Sequence, residues 1–318
     1  MGAEGRCIII ILEGPDGSGK TKLAARIIST DPAPKYFHFV KESTYTDYLE
    51  PLVSLSLFRA VCDRFIFSET IYSEVMERKS QFSDKQWHNV TLLALAMNPL
   101  ITLMIHKPNA DYSKDQYLPK EKWDKCLSLY REFFKKNNIP FVEFDYASDL
   151  PTQSFLEIES RYAAEVSWWL PMWREGIGMI GSQHPKFLIV GQEIGPNNVH
   201  NLPFETGPTG YMMSEMLAKS EVPLGDIAIT NIAKVRRGVR RPVNSRDLEL
   251  FEIELTHLKP QKVILMGKLA REGIPVLKSL GIEYGEMPHL GWFRRTGRSG
   301  YVETWRELTA KPRSIWEL

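Results

Sequence analysis

The sequence predicts two α/β units in tandem, each built on a parallel sheet flanked by helices. Three observations predict it. At 318 residues the chain is about twice the length of a typical domain. Each half opens on a short apolar run that ends in glycine-rich sequence, CIIIILE at 7–13 and FLIVG at 187–191. In both halves further apolar runs alternate with helical periodicity, which calls for parallel strands joined by crossovers. Hydrophobic residues at 43% and charged residues at 25% supply apolar material for two cores and exclude a disordered chain. With 40 Lys+Arg against 39 Asp+Glu, any polyanionic partner must be held by a local basic patch rather than by global charge.

In chain order, 7–13 reads as a buried strand and 20–28 as the helix after a glycine turn. Residues 58–62, 100–105 and 140–144 are the next strand candidates, so 1–148 form one doubly wound domain. The pattern breaks at Asp149-Leu150-Pro151. Residues 152–169 then carry Phe155, Ile158, Tyr162 and Val166 at helical spacing, which makes 149–180 a helical connector. Strands at 187–190, 226–230 and 262–266 define a second domain over 181–318. No internal repeat or low-complexity tract is present. Cys7, Cys62 and Cys126 lack metal-like spacing, which argues against a disulfide framework or a multi-cysteine metal site and fits a reducing compartment. The apolar run 7–12 is too short for a secretory signal or a membrane span, and Arg6 stands where a myristoylation motif needs Ser or Thr. A soluble cytoplasmic protein is expected, in a host cytoplasm if the source is viral.

Gly14-Pro15-Asp16-Gly17-Ser18-Gly19-Lys20-Thr21 satisfies G-x-x-x-x-G-K-[ST] between a buried strand and a helix start. Glycines let backbone N–H groups converge on phosphate oxygens, and the helix dipole adds to the attraction. Lys20 would neutralise the β- and γ-phosphates of ATP and Thr21 would ligate Mg2+. The alternative is a tight glycine turn with an incidental lysine; the strand before it and the helix after it favour the nucleotide.

The run E-G-P-D-G-S-G-K-T at 13–21 resembles the opening of the thymidylate kinase family, and Asp63-Arg64 within D-R-F-I-F-S-E-T-I-Y resembles that family's second motif. The resemblance implies a nucleoside monophosphate kinase-like P-loop fold in which Arg64 clamps a phosphoryl group and Asp63 orients the acceptor or the metal. Without it, Asp63-Arg64 reads as a charge pair at a strand end. The resemblance then fades: 107–122 is lysine-rich like a lid but carries no arginine signature, which leaves the acceptor open.

In the second half Gly191-Gln192-Glu193 follows a strand, and Pro203-Phe204 with Gly207 and Gly210, I-T-N-I-A-K-V-R at 229–236, PQKVILMGKLA at 260–270 and Pro288-His289 follow in order. In order and spacing these resemble the uracil-DNA glycosylase superfamily over residues 186–310. The resemblance implies an α/β/α parallel-sheet domain that takes a base flipped out of DNA. Phe204 would stack on the base, Asn231 would bond its Watson–Crick edge, His289 would sit at the pyrimidine O2 side, and Gln192 and Glu193 would line the pocket, with Glu193 a candidate to activate water. Singly, Asn231 reads as a strand-end cap and His289 as a loop histidine. This half holds no cysteine, so the iron–sulfur cluster of the best-matching branch cannot form. KVRRGVRRPVNSR at 234–246 carries six basic residues and no acid. Its Arg236, Arg237, Arg240 and Arg241, with Arg294 and Arg295 beside Trp292, are candidates for contacts to DNA phosphates.

The combination resembles bacteriophage 5-hydroxymethyluracil DNA kinases. It implies transfer of phosphate from ATP to the hydroxymethyl group of an extruded base, with Lys20, Asp63 and Arg64 catalytic. The alternative is a deoxynucleoside monophosphate kinase fused to an active uracil-DNA glycosylase.

Overall fold

The computed structural model describes residues 9–30, 34–54, 60–106, 118–145, 179–193, 203–204, 207–234 and 242–310. Its internal contacts divide the chain into two compact units, Met1–Trp168 and Trp169–Leu318.

In the first unit β1 (Ile9–Glu13), α1 (Lys20–Thr30), β2 (Lys35–His38), α2 (Tyr45–Ser54), β3 (Ala60–Asp63), α3 (Ile66–Val75), α4 (Asp84–Ala96), β4 (Leu100–Met104), α5 (Trp123–Lys136) and β5 (Val142–Phe144) follow in order. The five strands are all parallel, in the order β2-β3-β1-β4-β5. A run of β-branched residues suits the central position of β1, buried along its whole length and paired on both edges. Alternation along β1 splits its side chains between the two faces of the sheet. Ile10 and Leu12 pack with Leu23, Ala24 and Ile27 of α1 and with Val61, Leu100, Met104 and Phe144. Glu13, on the other face, meets Ser68 of α3 and Tyr130 of α5. The start of α4 is fixed by a capping box between Ser83 and Gln86.

The second unit runs β6 (Ile180–Gly181), β7 (Phe187–Gly191), α6 (Gly207–Ala218), β8 (Ile227–Asn231), α7 (Ser245–Leu258), β9 (Lys262–Met266), α8 (Ile274–Ser279), β10 (Glu283–Met287), α9 (Leu290–Thr296) and α10 (Tyr301–Thr309). Its sheet order is β10-β9-β7-β8-β6, parallel except for β6, which pairs antiparallel with β8. Trp305 of α10 is fully buried, with its ring 6.2 Å from that of Phe187. A second capping box, Asn244 with Asp247, starts α7.

Of the strand expected at 58–62, residues 60–62 belong to β3, which runs on to Asp63 as its last residue; 58–59 lie outside the described residues. Three strands escape the sequence pattern because they lie at or near sheet edges and carry no apolar run. β2 is KYFH with mostly exposed side chains, β10 is EYGEM, and β6 has two residues. The second sheet is parallel as expected, with the two-residue β6 added antiparallel at its edge. The helix expected at 152–169 and residues 107–117 of the lysine-rich segment lie outside the described residues. Among the described residues no helix is long and apolar enough to cross a membrane.

Trp305→Ala is expected to cost the second unit about 3–5 kcal/mol through loss of apolar burial and the cavity left behind. Urea unfolding followed by circular dichroism measures it, and a change under 1 kcal/mol would contradict the packing described.

Candidate functional site

The phosphate loop leaves β1 and turns with left-handed φ at Gly14 (135°), Gly17 (77°) and Gly19 (93°), values that side-chain-bearing residues rarely adopt. Lys20 is buried, and its Nζ donates to the carbonyls of Gly14 and Pro15 at 2.8 Å each and to Ser18 Oγ at 3.4 Å. Burial pulls the Lys20 pKa down, against the opposing charges of Asp63 and Glu13. Trp123 Nε1, from the first turn of α5, donates to the Asp16 carbonyl at 3.2 Å and ties the loop to that helix.

Asp63 stands at the carboxyl end of β3, opposite Leu12 of β1 and His38 of β2. Its Oδ2 accepts from Thr21 Oγ1 at 2.6 Å and from Tyr36 OH at 3.1 Å, and lies 3.2 Å from His38 Nδ1. Its Oδ1 is buried and has no hydrogen-bond partner among the described residues. The Thr21 hydroxyl in the first turn of α1 and Asp63 Oδ2 beside it at the end of β3 form a hard oxygen set that fits Mg2+, which leaves the orphaned Oδ1 for another partner. Arg64 follows at φ 70°, with its amide donating to the Leu12 carbonyl at 2.9 Å. Its guanidinium pairs with Asp16 and lies 4.8 Å from the centroid of the Tyr72 ring. A left-handed backbone at a bulky residue costs about 1–3 kcal/mol, and such strain clusters at working sites. Asp16, Ser18, Lys20, Thr21, Asp63 and Arg64 are thereby brought together at one end of one sheet.

Several side chains at this site carry no functional signal in the sequence: Tyr36, His38, Trp123 and Tyr130 touch the motif residues only through tertiary contacts, and Tyr72 ends the D-R-F-I-F-S-E-T-I-Y run without being singled out. Glu13 lies within the loop motif, but its environment could not be read from it. Its Oε2 accepts from Ser68 Oγ and from Tyr130 OH. Burial pushes the Glu13 pKa up from 4.5 to about 7, against the hydrogen bonds of Ser68 and Tyr130 and the charges of Lys20 and Arg64.

In the second unit β7 ends at Gly191, in register with Asn231 at the end of β8. Asn231 is buried, and its Nδ2 has no partner among the described residues. A Cβ on Gly191 would stand 2.3 Å from Asn231 Oδ1 and 2.9 Å from Phe204 Cε2, so the backbone there must be bare for amide and ring to approach. Phe204, at φ 54°, stacks with His289 at 5.9 Å between centroids and 25° between planes. His289 Nδ1 accepts from the Gly291 amide at 3.1 Å, which in the neutral ring leaves the proton on Nε2. Gln192 and His289 converge over Gly267, where a Cβ would meet Gln192 Nε2 at 2.1 Å and His289 Cβ at 2.8 Å. Gln192, Phe204, Asn231 and His289 are thus neighbours; Glu193 follows, half-buried.

Arg294 and Arg295 are exposed in the last turn of α9, and Arg298 lies over Trp292 at 5.1 Å. Arg236, Arg237, Arg240 and Arg241 lie outside the described residues. Lys234, the first basic residue of the 234–246 run, is buried: its Nζ donates to Thr230 Oγ1 at 2.6 Å and pairs with Glu254 of α7.

Residues 179–309 match the family model of the uracil DNA glycosylase superfamily. They form a domain of that superfamily. No curated protein matches the chain. Among solved structures, the YorR protein of Bacillus subtilis in complex with phosphorylated GDP is similar at 20% identity over 48% of this chain and 95% of its own, with a TM-score of 0.39. Deoxyadenosine kinase from M. mycoides with bound dCTP is similar at 17% identity over 48% and 98%, with a TM-score of 0.33. Thymidylate kinase from Candida albicans is similar at 16% identity over 50% and 93%, with a TM-score of 0.36.

Two outcomes are expected from these sites. Because the Glu13 pKa lies above its ordinary value, the folded chain holds a proton there that the unfolded chain releases between pH 4.5 and about 7. Stability therefore falls as pH rises through that window, by on the order of 3 kcal/mol, and Glu13→Gln removes this part of the slope. Unfolding midpoints of the two proteins from pH 5 to 8 measure it, and parallel profiles would refute it. In the glycosylase-like domain, Gly191→Ala is expected to lower stability by about 1–3 kcal/mol, because its Cβ must displace the Asn231 amide or the Phe204 ring. An unchanged urea unfolding midpoint would show that the close approach is not needed.

Proposed function

We propose that the chain is an ATP-dependent phosphotransferase that phosphorylates the hydroxymethyl group on C5 of 5-hydroxymethyluracil in DNA, the base being extruded and gripped by the glycosylase-like domain. What carries the reading is one conjunction: a phosphate loop with Asp63 and Arg64 beside it, on the same chain as a buried, unpartnered Asn231 amide next to Phe204 and His289. Ordinary pyrimidines in DNA offer no hydroxyl on the base, whereas a C5 hydroxymethyl group does.

In this reading the amides of Gly14, Gly17, Ser18 and Gly19 cradle the triphosphate of ATP, Lys20 neutralises its β- and γ-oxygens, and Asp16 holds Arg64 toward the transferring group. Thr21, with Asp63 beside it, would hold Mg2+, which when bound spreads the charge of the phosphate oxygens. Asp63 Oδ1 takes the proton of the hydroxymethyl group. Its oxygen forms the new bond to the γ-phosphorus as the bond to ADP breaks, leaving a phosphomonoester on the base and ADP. Phe204 stacks on the base, Asn231 bonds its edge and His289 Nε2 donates at O2, with Gln192 and Glu193 lining the pocket. Arg294 and Arg295, joined by Arg236, Arg237, Arg240 and Arg241, hold the DNA backbone. The kinase domain is assigned to 1–148, the connector to 149–180 and the glycosylase-like domain to 181–318, in a cytoplasmic protein.

Labelled ATP offered with DNA containing 5-hydroxymethyluracil, or with free thymidylate, tests the reading. Label is expected on the DNA; label on free thymidylate alone would favour the fused nucleotide kinase. Alkali-labile breaks in uracil-containing DNA, lost on Glu193→Gln, would add a glycosylase activity. Asn231→Ala is expected to lower phosphate transfer to DNA by about 10²-fold, the effect of losing a buried polar contact to substrate. Equal loss of ATP hydrolysis would contradict the division of labour.

A further inference from the structure

Next to Asp63 and Arg64 in the fold lies a group of packed aromatic rings, Phe39, Tyr48, Phe65 and Phe82, that the phosphotransferase chemistry does not use. Phe39 follows β2, and its amide donates to the Asp63 carbonyl at 3.1 Å; Phe65 follows Arg64 directly. Tyr48 of α2 stacks on Phe39 at 4.4 Å between centroids and 11° between planes. Phe65 abuts both rings edge-on, at 5.8 and 5.6 Å, and Phe82 abuts Tyr48 at 5.4 Å and 89°. Phe39, Tyr48 and Phe65 are 4%, 3% and 0% exposed, so their faces are spent on one another. Tyr72, the other ring at this clamp, has the Arg64 guanidinium over it.

A pyrimidine bound by a protein is held chiefly through its ring faces, in offset stacks like those between aromatic side chains. Tyr48 lies against Phe39 in the way such a ligand would. The two halves therefore differ in kind. The glycosylase-like domain keeps a buried amide unpartnered beside Phe204, while the first unit stacks its own aromatic rings next to its acceptor clamp.

We infer that Tyr48 is a built-in plug. The kinase half reads no acceptor base, admits only a small protruding alcohol, and for that reason rejects free pyrimidine nucleotides. The inference rests on the proposed DNA-kinase reading and adds the determinant of its specificity: base recognition is delegated to the other domain, and Phe39 and Tyr48 enforce the delegation. Removing the Tyr48 ring would leave a flat apolar cavity, and a dry cavity of about 150 Å3 in a protein core suffices to take up a benzene-sized ring.

The test offers the full chain, with labelled ATP and Mg2+, three acceptors: DNA carrying 5-hydroxymethyluracil, free 5-hydroxymethyldeoxyuridine monophosphate and free thymidylate. Wild type is expected to label DNA at least about 100-fold more efficiently than either free nucleotide. Tyr48→Ala is expected to raise labelling of free 5-hydroxymethyldeoxyuridine monophosphate by about tenfold or more, the factor that about 1.4 kcal/mol of regained binding supplies. Comparable labelling of DNA and free nucleotide by wild type overturns the plug while leaving the DNA kinase standing. If wild type labels no acceptor, the DNA-kinase reading falls and calorimetry decides the plug. That measurement uses thymidylate and chains carrying Asn231→Ala, which silences the second pocket. Heat of binding only when Tyr48 is replaced upholds the plug, and binding with Tyr48 in place overturns it. Should Tyr48→Ala fail to fold, Tyr48→Leu, which keeps part of the volume without a planar face, replaces it under the same criteria.

Discussion

Two parallel strand registers hold everything else in place. Leu12 of β1 faces Asp63 of β3, which faces His38 of β2, and Gly191 of β7 faces Asn231 of β8. Side chains alternate with a period of two, so a slip of one residue would turn Asp63 away from Thr21 and carry Asn231 to the other face of its sheet. Burial fixes both registers: β1, β3 and β8 are closed to solvent along their whole length, and a slipped strand would set polar end residues against the wrong packing surface. The functional groups follow where the strands end, at the carboxyl edge of a parallel sheet, where ligands of α/β folds bind.

The first unit then assembles charges that would be costly singly. Lys20, Asp63, Arg64 and Glu13 come from α1, from the end of β3 and the residue after it, and from β1; the Gly14 and Pro15 carbonyls and Ser18 receive Lys20, Asp16 pairs with Arg64, the hydroxyls of Thr21 and Tyr36 serve Asp63, and those of Ser68 and Tyr130 serve Glu13. Among the described residues, the buried polar atoms at the two sites without a hydrogen-bond partner include Asp63 Oδ1, Asp16 Oδ2, Glu13 Oε1 and the Tyr72 hydroxyl in one and Asn231 Nδ2 in the other. An unsatisfied buried polar atom costs about 1–3 kcal/mol, and a fold retains one where something other than stability selects it. Arg64 and Phe204 add left-handed backbone at bulky residues. In each half strain and orphaned polarity meet at the same edge of the sheet.

Lys234 shows the opposite use of charge. It leaves β8 three residues after Asn231 and spends its ammonium on Thr230 and Glu254, anchoring the strand end to α7. An arginine-rich stretch read as a string of phosphate contacts therefore begins with a cation that faces inward. Such a pair contributes little net stability, but removing one partner strands the other, so it fixes geometry more than it adds energy.

What the sequence determined by itself is local. The glycine spacing at 14–19 dictates a phosphate-binding turn because left-handed φ values are accessible there and to few other residues. The apolar runs of β1, β4, β7, β8 and β9 announce buried strands, and Asp63, Phe204, Asn231 and His289 stand out through the resemblance of their motifs to those of known families. The tertiary structure alone decided the surroundings of these residues: the hydroxyls on Glu13, the Tyr36 and His38 contacts of Asp63, the Trp123 tie to the loop 107 residues away, and the ring of Tyr48 laid on Phe39. Edge strands such as β2 and β10 were hidden for the same reason. Backbone turns and strand propensity are set by neighbours along the chain, whereas burial, partner choice and the pKa of a carboxyl are set by groups that packing brings together from distant positions.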